Sequence, residues 1–384
     1  MYKKHLTISI DKSKTMIFNK TGKKIKRVFK VGDEKLEPVQ TFCYLGYEIN
    51  ASGSCSAAVN SLYEKAVKAM QPLLRTISSF NIPLETAIRL FNTYIVPIML
   101  YNVENWGEMT TNNIQKFTAN FWSNTIDAKA SNLQRKFLKY VMGVSRSSPN
   151  LAVMGDTGEI PLMLKGYRLM LQYWHRVTNL PNESLAKKAL LENIDLRTNW
   201  ITTIEKLMNF FNLTGFIGSS NLKWETKKEM HASFVEYWKN SISNNSRLVF
   251  YCRYKTDFEF EKYLHLPNFY ERKAISKIRC SDHELEIERG RHKNTSREMR
   301  YCKYCNGQQI ETEEHFLFDC TYYNDIRTRV AFPTSKSTLF SMHEPHGLGE
   351  FIMLALAKRR DKELINELLT RLILLCTELT QADM

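Results

Sequence analysis

The sequence predicts a mainly α-helical protein that opens with a small antiparallel β meander and carries a CCHC knuckle near its C-terminus. Three observations predict it. Up to about residue 53, short β-branched and aromatic runs ("TMIF", "VFKV", "FCYLGYEI") alternate with "NKTGKK" and "GDEKLEP", where Gly and Pro mark turns. From residue 55 onward, apolar residues recur at three and four positions, the helical period. Finally, Cys302, Cys305, His315 and Cys320 stand at C-x2-C-x9-H-x4-C, a metal-ligand spacing.

Each helix has its own start and stop. After "NASGS", Val59, Leu62, Tyr63, Ala66, Val67 and Met70 trace an apolar face, with Ser54 or Ser56 as cap and a kink expected at Pro72. Pro83 opens the next helix, whose face is Ala87, Ile88, Phe91 and Ile95. Further helices are expected over about 131–142 with Gly143 as stop, 161–177, 198–211 and 356–380. The chain thus divides into a strand-rich segment 1–54, helices over 55–145, a helical connector 146–270, a basic segment with the knuckle 271–330, and C-terminal helices 331–384.

Charge sets the partner class. Of 384 residues, 54 are Lys or Arg and 40 are Asp or Glu, giving +14, which favours a polyanionic partner such as RNA or DNA over a small-molecule substrate. Residues 1–35 hold eleven Lys/Arg against three Asp/Glu, and "KTGKKIKRVFK" (20–30) fits a basic strand hairpin better than a tail, with a solvated surface face or a nuclear-import signal as the alternatives. The opening lacks an apolar core of signal-peptide length, and the most apolar stretch, "AIRLFNTYIVPIMLYNVENW", is broken by Arg89, Asn92 and Pro97. No membrane span or membrane partner is expected, and the reading is intracellular, nuclear and cytoplasmic. Four of the eight cysteines are scattered (Cys43, Cys55, Cys252, Cys376), which suits a reducing compartment and leaves the clustered ones as ligands.

Three thiolates and an imidazole fill a zinc tetrahedron, so Cys302, Cys305, His315 and Cys320 predict one closed, structural Zn2+ site; the alternative is free buried cysteines. Asn306 and Gly307 start the loop that brings the second ligand pair back, and Phe316 and Phe318 are expected to form the knuckle's small core. Cys280-x2-His283 has half a metal motif and no matching second pair. Upstream lies "RCSDHELEIERGRHKNTSREMRYCK", in which Arg279, His283, Arg289, Arg291, Arg297, Arg300 and Lys303 are candidate contacts to phosphates and bases of a single strand. Glu284, Glu286, Glu288 and Glu298 offer the competing arrangement, a salt-bridged surface.

Several stretches, in order, resemble the non-LTR retrotransposon (LINE-type) reverse transcriptases: "SIDKSKTMIFNKTG", "FCYLGYEI", "VPIMLYNVENWG", "FLKYVMGVSRSSPNLAVMGDTGEIPL", "SDHELEIERGR" and "YCKYCNGQQIETEEHFLFDCTYYNDIR". The resemblance implies the end of a palm with the primer grip over 1–54, a thumb over 55–145, then connector and zinc knuckle. By that resemblance Lys12 matches the lysine that follows the catalytic hairpin, and Tyr44, Leu45 and Gly46 match the primer-grip turn. Ser9 stands where the family usually has Asn, and Cys280 where it has an aliphatic residue.

The paired aspartates that hold the two metal ions of nucleotidyl transfer have no counterpart; the only carboxylate before Lys12 is Asp11. The expectation is therefore a fragment that binds the element's transcript and target DNA without polymerising alone. A helical protein-interaction scaffold with a structural zinc is the alternative.

Overall fold

The computed structural model describes residues 8–19, 27–107, 117–216, 218–219, 221–305, 308–330, 332 and 346–382. The basic run over 20–26 and the loop pair Asn306–Gly307 lie outside the described residues. The chain is mainly helical after a strand-rich start, as its sequence predicts.

Among the described residues six short strands come first: β1 (Lys14–Thr15), β2 (Lys30–Val31), β3 (Glu34–Lys35), β4 (Glu37–Pro38), β5 (Thr41–Tyr44) and β6 (Tyr47–Asn50). They form antiparallel hairpins β2–β3 and β5–β6, together with a parallel pair β1–β4 that the expected meander did not include. Helices follow: α1 (Ser56–Ser79), α2 (Leu84–Tyr94), α3 (Val96–Met99), α4 (Val103–Trp106), α5 (Phe117–Asp127), α6 (Lys129–Met142), α7 (Asn150–Thr157) and α8 (Leu162–Thr178). The second half holds α9 (Leu185–Asp195), α10 (Asn199–Phe210), α11 (Leu222–Ser243), α12 (Val249–Tyr254), α13 (Phe269–Arg279), α14 (Glu286–His292), α15 (Asn324–Arg329) and α16 (His346–Ala382). No helix among the described residues is long and apolar enough to cross a membrane.

The chain groups into two compact units, each assembled from separated stretches. The first comprises Met1–Thr76, Arg89–Gln134 and Pro161–Ser233. Its core gathers around Tyr167, Phe121, Phe210 and Phe211, with the rings of Phe121 and Phe210 4.3 Å apart. The first turn of a helix leaves backbone N–H groups without partners. In α8 two of these are met from α6: Gln134 Oε1 accepts from Leu162 N (2.8 Å) and Ser131 Oγ from Met163 N (3.1 Å). That explains why Ser131 and Gln134 are buried although polar.

The second unit comprises Ile77–Ile88, Arg135–Ile160 and Phe234–Met384. Here α13 packs along the first half of α16 through Ile275, Ile278, Leu348, Phe351 and Ile352, all buried. Trp238 is enclosed and donates from Nε1 to Leu151 O (2.9 Å). Lys139 on α6 is buried too: its Nζ donates to the carbonyls of Arg146 (2.8 Å) and Ser148 (2.7 Å). Burial, aided by the neighbouring Arg135 charge, pushes its pKa down to about 8.

Candidate metal centre and nucleic-acid interface

A short hairpin and a turn build the knuckle. Tyr301 bridges Ile310, and Cys302 N donates to Gln309 O (2.8 Å), so the first two cysteines sit at the mouth of a loop that closes on itself. A wide helical turn, His315–Asp319, returns the chain, and Cys320 N donates to His315 O (2.7 Å). The four ligand atoms of Cys302, Cys305, His315 and Cys320 lie within 4.8 Å of one another.

Two edges of this group carry the metal argument. Cys302 Sγ and Cys320 Sγ are 3.8 Å apart, and Cys305 Sγ and His315 Nε2 are 3.4 Å apart. A tetrahedron with metal–sulfur bonds of about 2.3 Å and metal–nitrogen bonds of about 2.0–2.1 Å has edges of about 3.8 Å and 3.5 Å. The group therefore fits a tetrahedral metal ion. His315 Nδ1 lies 2.9 Å from Gln309 Oε1, a hydrogen bond that fixes the ring and leaves Nε2 for the ion. The contact between the two sulfurs holds the Cys302 thiol well below its usual range and pushes Cys320 up. A metal ion would take both sulfurs as thiolates, so binding would release protons.

Support for the knuckle comes from α16. Arg359 is buried and pairs with Glu311, with Nη2 3.1 Å from Oε2. Glu311 Oε2 also accepts from Glu286 N (2.6 Å), and Cys302 Sγ lies 3.7 Å from Oε1. Phe316 is fully buried against Tyr323 and Phe351, while Phe318 is only half-buried and stacks near Phe332. Neither Gln309, Glu311 nor Arg359 was marked by the sequence. An acidic residue between two ligands is a signal only once its partner is known.

Two of the expected surface contacts are corrected by their burial. Arg279 has about 1% of its side chain exposed and grips Asp156 with both arms, Nε to Oδ2 at 2.9 Å and Nη2 to Oδ1 at 2.8 Å. Glu261 completes the pair at 3.0 Å, and the rings of Tyr251 and Tyr263 flank the guanidinium at 5.5 and 5.4 Å. Burial alone would raise the Asp156 carboxyl, but the Arg279 charge and its hydrogen bonds outweigh burial and hold it below the usual range. The side chain of His283 is enclosed, with Nε2 3.1 Å from Glu313 Oε1. Cys280 is buried as well, its thiol pushed well up, and no second metal group forms around these two among the described residues.

The remaining cations differ in how free they are. Arg289 pairs with Glu363 (2.8 Å) and Arg291 with Glu288 (2.9 Å). Arg300 lies over Gly290 and donates to Ile287 O (2.6 Å) and Thr295 O (2.8 Å), and a Cβ at Gly290 would come within 2.6 Å of its Cγ. These three brace α14. Lys303 is 61% exposed beside Glu286, and Arg297 is exposed with no ion-pair partner among the described residues. Arg247, Arg253, Arg291, Arg297 and Arg300 rim a hollow of about 230 Å³ that Glu288, Glu313 and Glu314 also line. Arg247 and Arg253 were not expected there, since they stand far from the basic segment in sequence.

In the first unit, Lys12 is exposed in a turn over 10–12. Tyr44 and Leu45 are exposed at the tip of the β5–β6 hairpin. Leu45 (φ 49°) and Gly46 (φ 83°) both adopt left-handed backbone, the requirement of a tight two-residue hairpin turn. Tyr101 OH donates to Leu45 O (2.7 Å) and Lys65 Nζ to Gly46 O (3.3 Å), which fixes the tip.

No protein-family model matches the chain, and no curated protein or solved structure matches it. The resemblance to reverse transcriptases therefore rests on the quoted motifs alone.

Proposed function

We propose that this chain binds nucleic acid, gripping phosphates of single-stranded RNA and DNA with exposed cations set on a zinc-stiffened platform. It is related to the C-terminal part of non-LTR retrotransposon reverse transcriptases and does not polymerise alone, because it has no aspartate pair to hold two metal ions. The observation that carries the reading is the arginine-rimmed hollow beside the knuckle in a chain of net charge +14. The ion is zinc in this reading: three thiolates and an imidazole are its preferred set, and a filled tetrahedron is structural rather than catalytic.

The internal pairing of Arg289, Arg291 and Arg300 favours a second reading, a helical interaction scaffold in which those side chains only hold α14 in place. Arg297, Lys293 and Lys303, all exposed, separate the two readings. Each phosphate neutralised on a single strand contributes about 0.7 to the slope of log affinity against log salt. Replacing these three by Ala should flatten the slope for a labelled oligonucleotide by about two units. Superimposable titrations of variant and wild type would leave the scaffold reading standing. Metal analysis of the purified chain should give about one zinc, lost when Cys302→Ser and Cys305→Ser are combined.

A further inference from the structure

A second groove, of about 820 Å³, opens in the second unit, lined by the end of α1, the turn after it, the end of α6 and the start of α13. Its lining includes two cations, Arg272 and Lys273, and no carboxylate. Arg272 is 5% exposed; its Nη1 donates to the carbonyls of Leu266 and Pro267, and its Nε has no hydrogen-bond partner among the described residues. A buried guanidinium without a carboxylate is costly, and burial lowers its pKa accordingly. Both cations stand 5.9 Å from the centroid of the Phe269 ring. Lys273 runs its alkyl chain over Gly143, which has no side chain to exclude it. Two aromatic rings present themselves to solvent at the rim, Tyr270 at 66% and Tyr140 at 48% exposure.

Net positive charge without a carboxylate, beside flat exposed rings, is the chemistry that recognises an anion attached to a planar apolar body. The volume suits one such unit. We propose that this groove holds one nucleotide of a single strand, its base stacked on Tyr270 and its phosphate against Lys273 and Arg272. The proposal rests on the nucleic-acid reading above and adds a site distinct from the hollow beside the knuckle.

The test uses the full, zinc-loaded chain and a short oligouridine carrying 4-thiouridine, photocrosslinked and mapped by peptide mass spectrometry. Crosslinks are expected in the peptide that contains Tyr270. Tyr270→Ala should weaken binding about ten-fold, the loss of one stacked base. Lys273→Glu should lower the salt slope by about one unit. Neither side chain is buried, so both variants should keep the wild-type circular dichroism spectrum. Retained binding with crosslinks elsewhere and both variants matching wild type would overturn the groove and leave the nucleic-acid reading intact. Absence of any binding by wild type would overturn both. Protection of Tyr270 by polyglutamate but not by oligouridine would assign the groove to an acidic protein and overturn the proposal.

Discussion

Arg279 and Arg297 stand eighteen positions apart in one basic stretch, yet they do opposite work. Arg279 faces Asp156 and Glu261 and is sealed among Tyr251 and Tyr263. Arg297 faces solvent at the rim of a hollow. The difference lies in their partners: Arg279 is met inside by carboxylates from elsewhere in the chain, and Arg297 has no such partner among the described residues. Positive charge in a sequence is thus a supply of cations, and the fold decides which of them remain to meet a phosphate.

Substitutions can break this contrast. The largest effect is expected at Asp156→Asn, which leaves the buried Arg279 charge without its main partner and should cost about 3–5 kcal/mol in urea unfolding. A loss below about 1 kcal/mol would mean that Glu261 suffices. Arg300→Ala should follow, at about 1–3 kcal/mol, because it frees the carbonyls of Ile287 and Thr295 and uncovers Gly290. Arg297→Ala, by contrast, should stay within about 0.5 kcal/mol, as surface positions do. Equal losses for the two would erase the distinction between bracing and free arginines.

Lys139 sharpens the same comparison through pH. Its folded pKa of about 8 lies below the ordinary 10.5, so the folded state binds this proton less tightly than the unfolded chain does. Between these values the unfolded chain holds more protons, and the stability contributed at Lys139 rises with pH. Wild type should therefore gain on Lys139→Met as pH climbs from 8 towards 10.5. A pH-independent difference in unfolding free energy between the two would show that the amine keeps its proton inside.

Much of this was legible in sequence wherever the signal is local. Gly143 ends α6, Pro161 precedes α8, and the expected 198–211 helix appears as Asn199–Phe210. All four knuckle ligands fall within one short segment, so their spacing could be read directly. Two helices were less readable. The core stripe of α11 is Leu222, Thr226, Met230, Phe234, Trp238 and Ile242, one residue per turn, without the third-position companions that mark a broad apolar face. The C-terminal helix begins at His346 rather than near 356, since Gly347 and Gly349 argue against helix locally while packing on α13 favours it. The burial of Arg279 had no local sign at all, because its partners Asp156 and Glu261 lie in other parts of the chain.

That separation bears on the order in which the molecule assembles. The Cys302–Cys320 contact closes a loop of 18 residues, and the Arg279–Asp156 pair one of 123. Closure entropy grows with the logarithm of loop length, so the longer loop costs about 1.7 kcal/mol more to form. The knuckle's ligands can therefore meet at a lower entropic cost than the sealed pair, which must wait until α7 and α13 have been brought together. A chain refolding from denaturant would then gather the four knuckle ligands before it closes the pair sealed in its core.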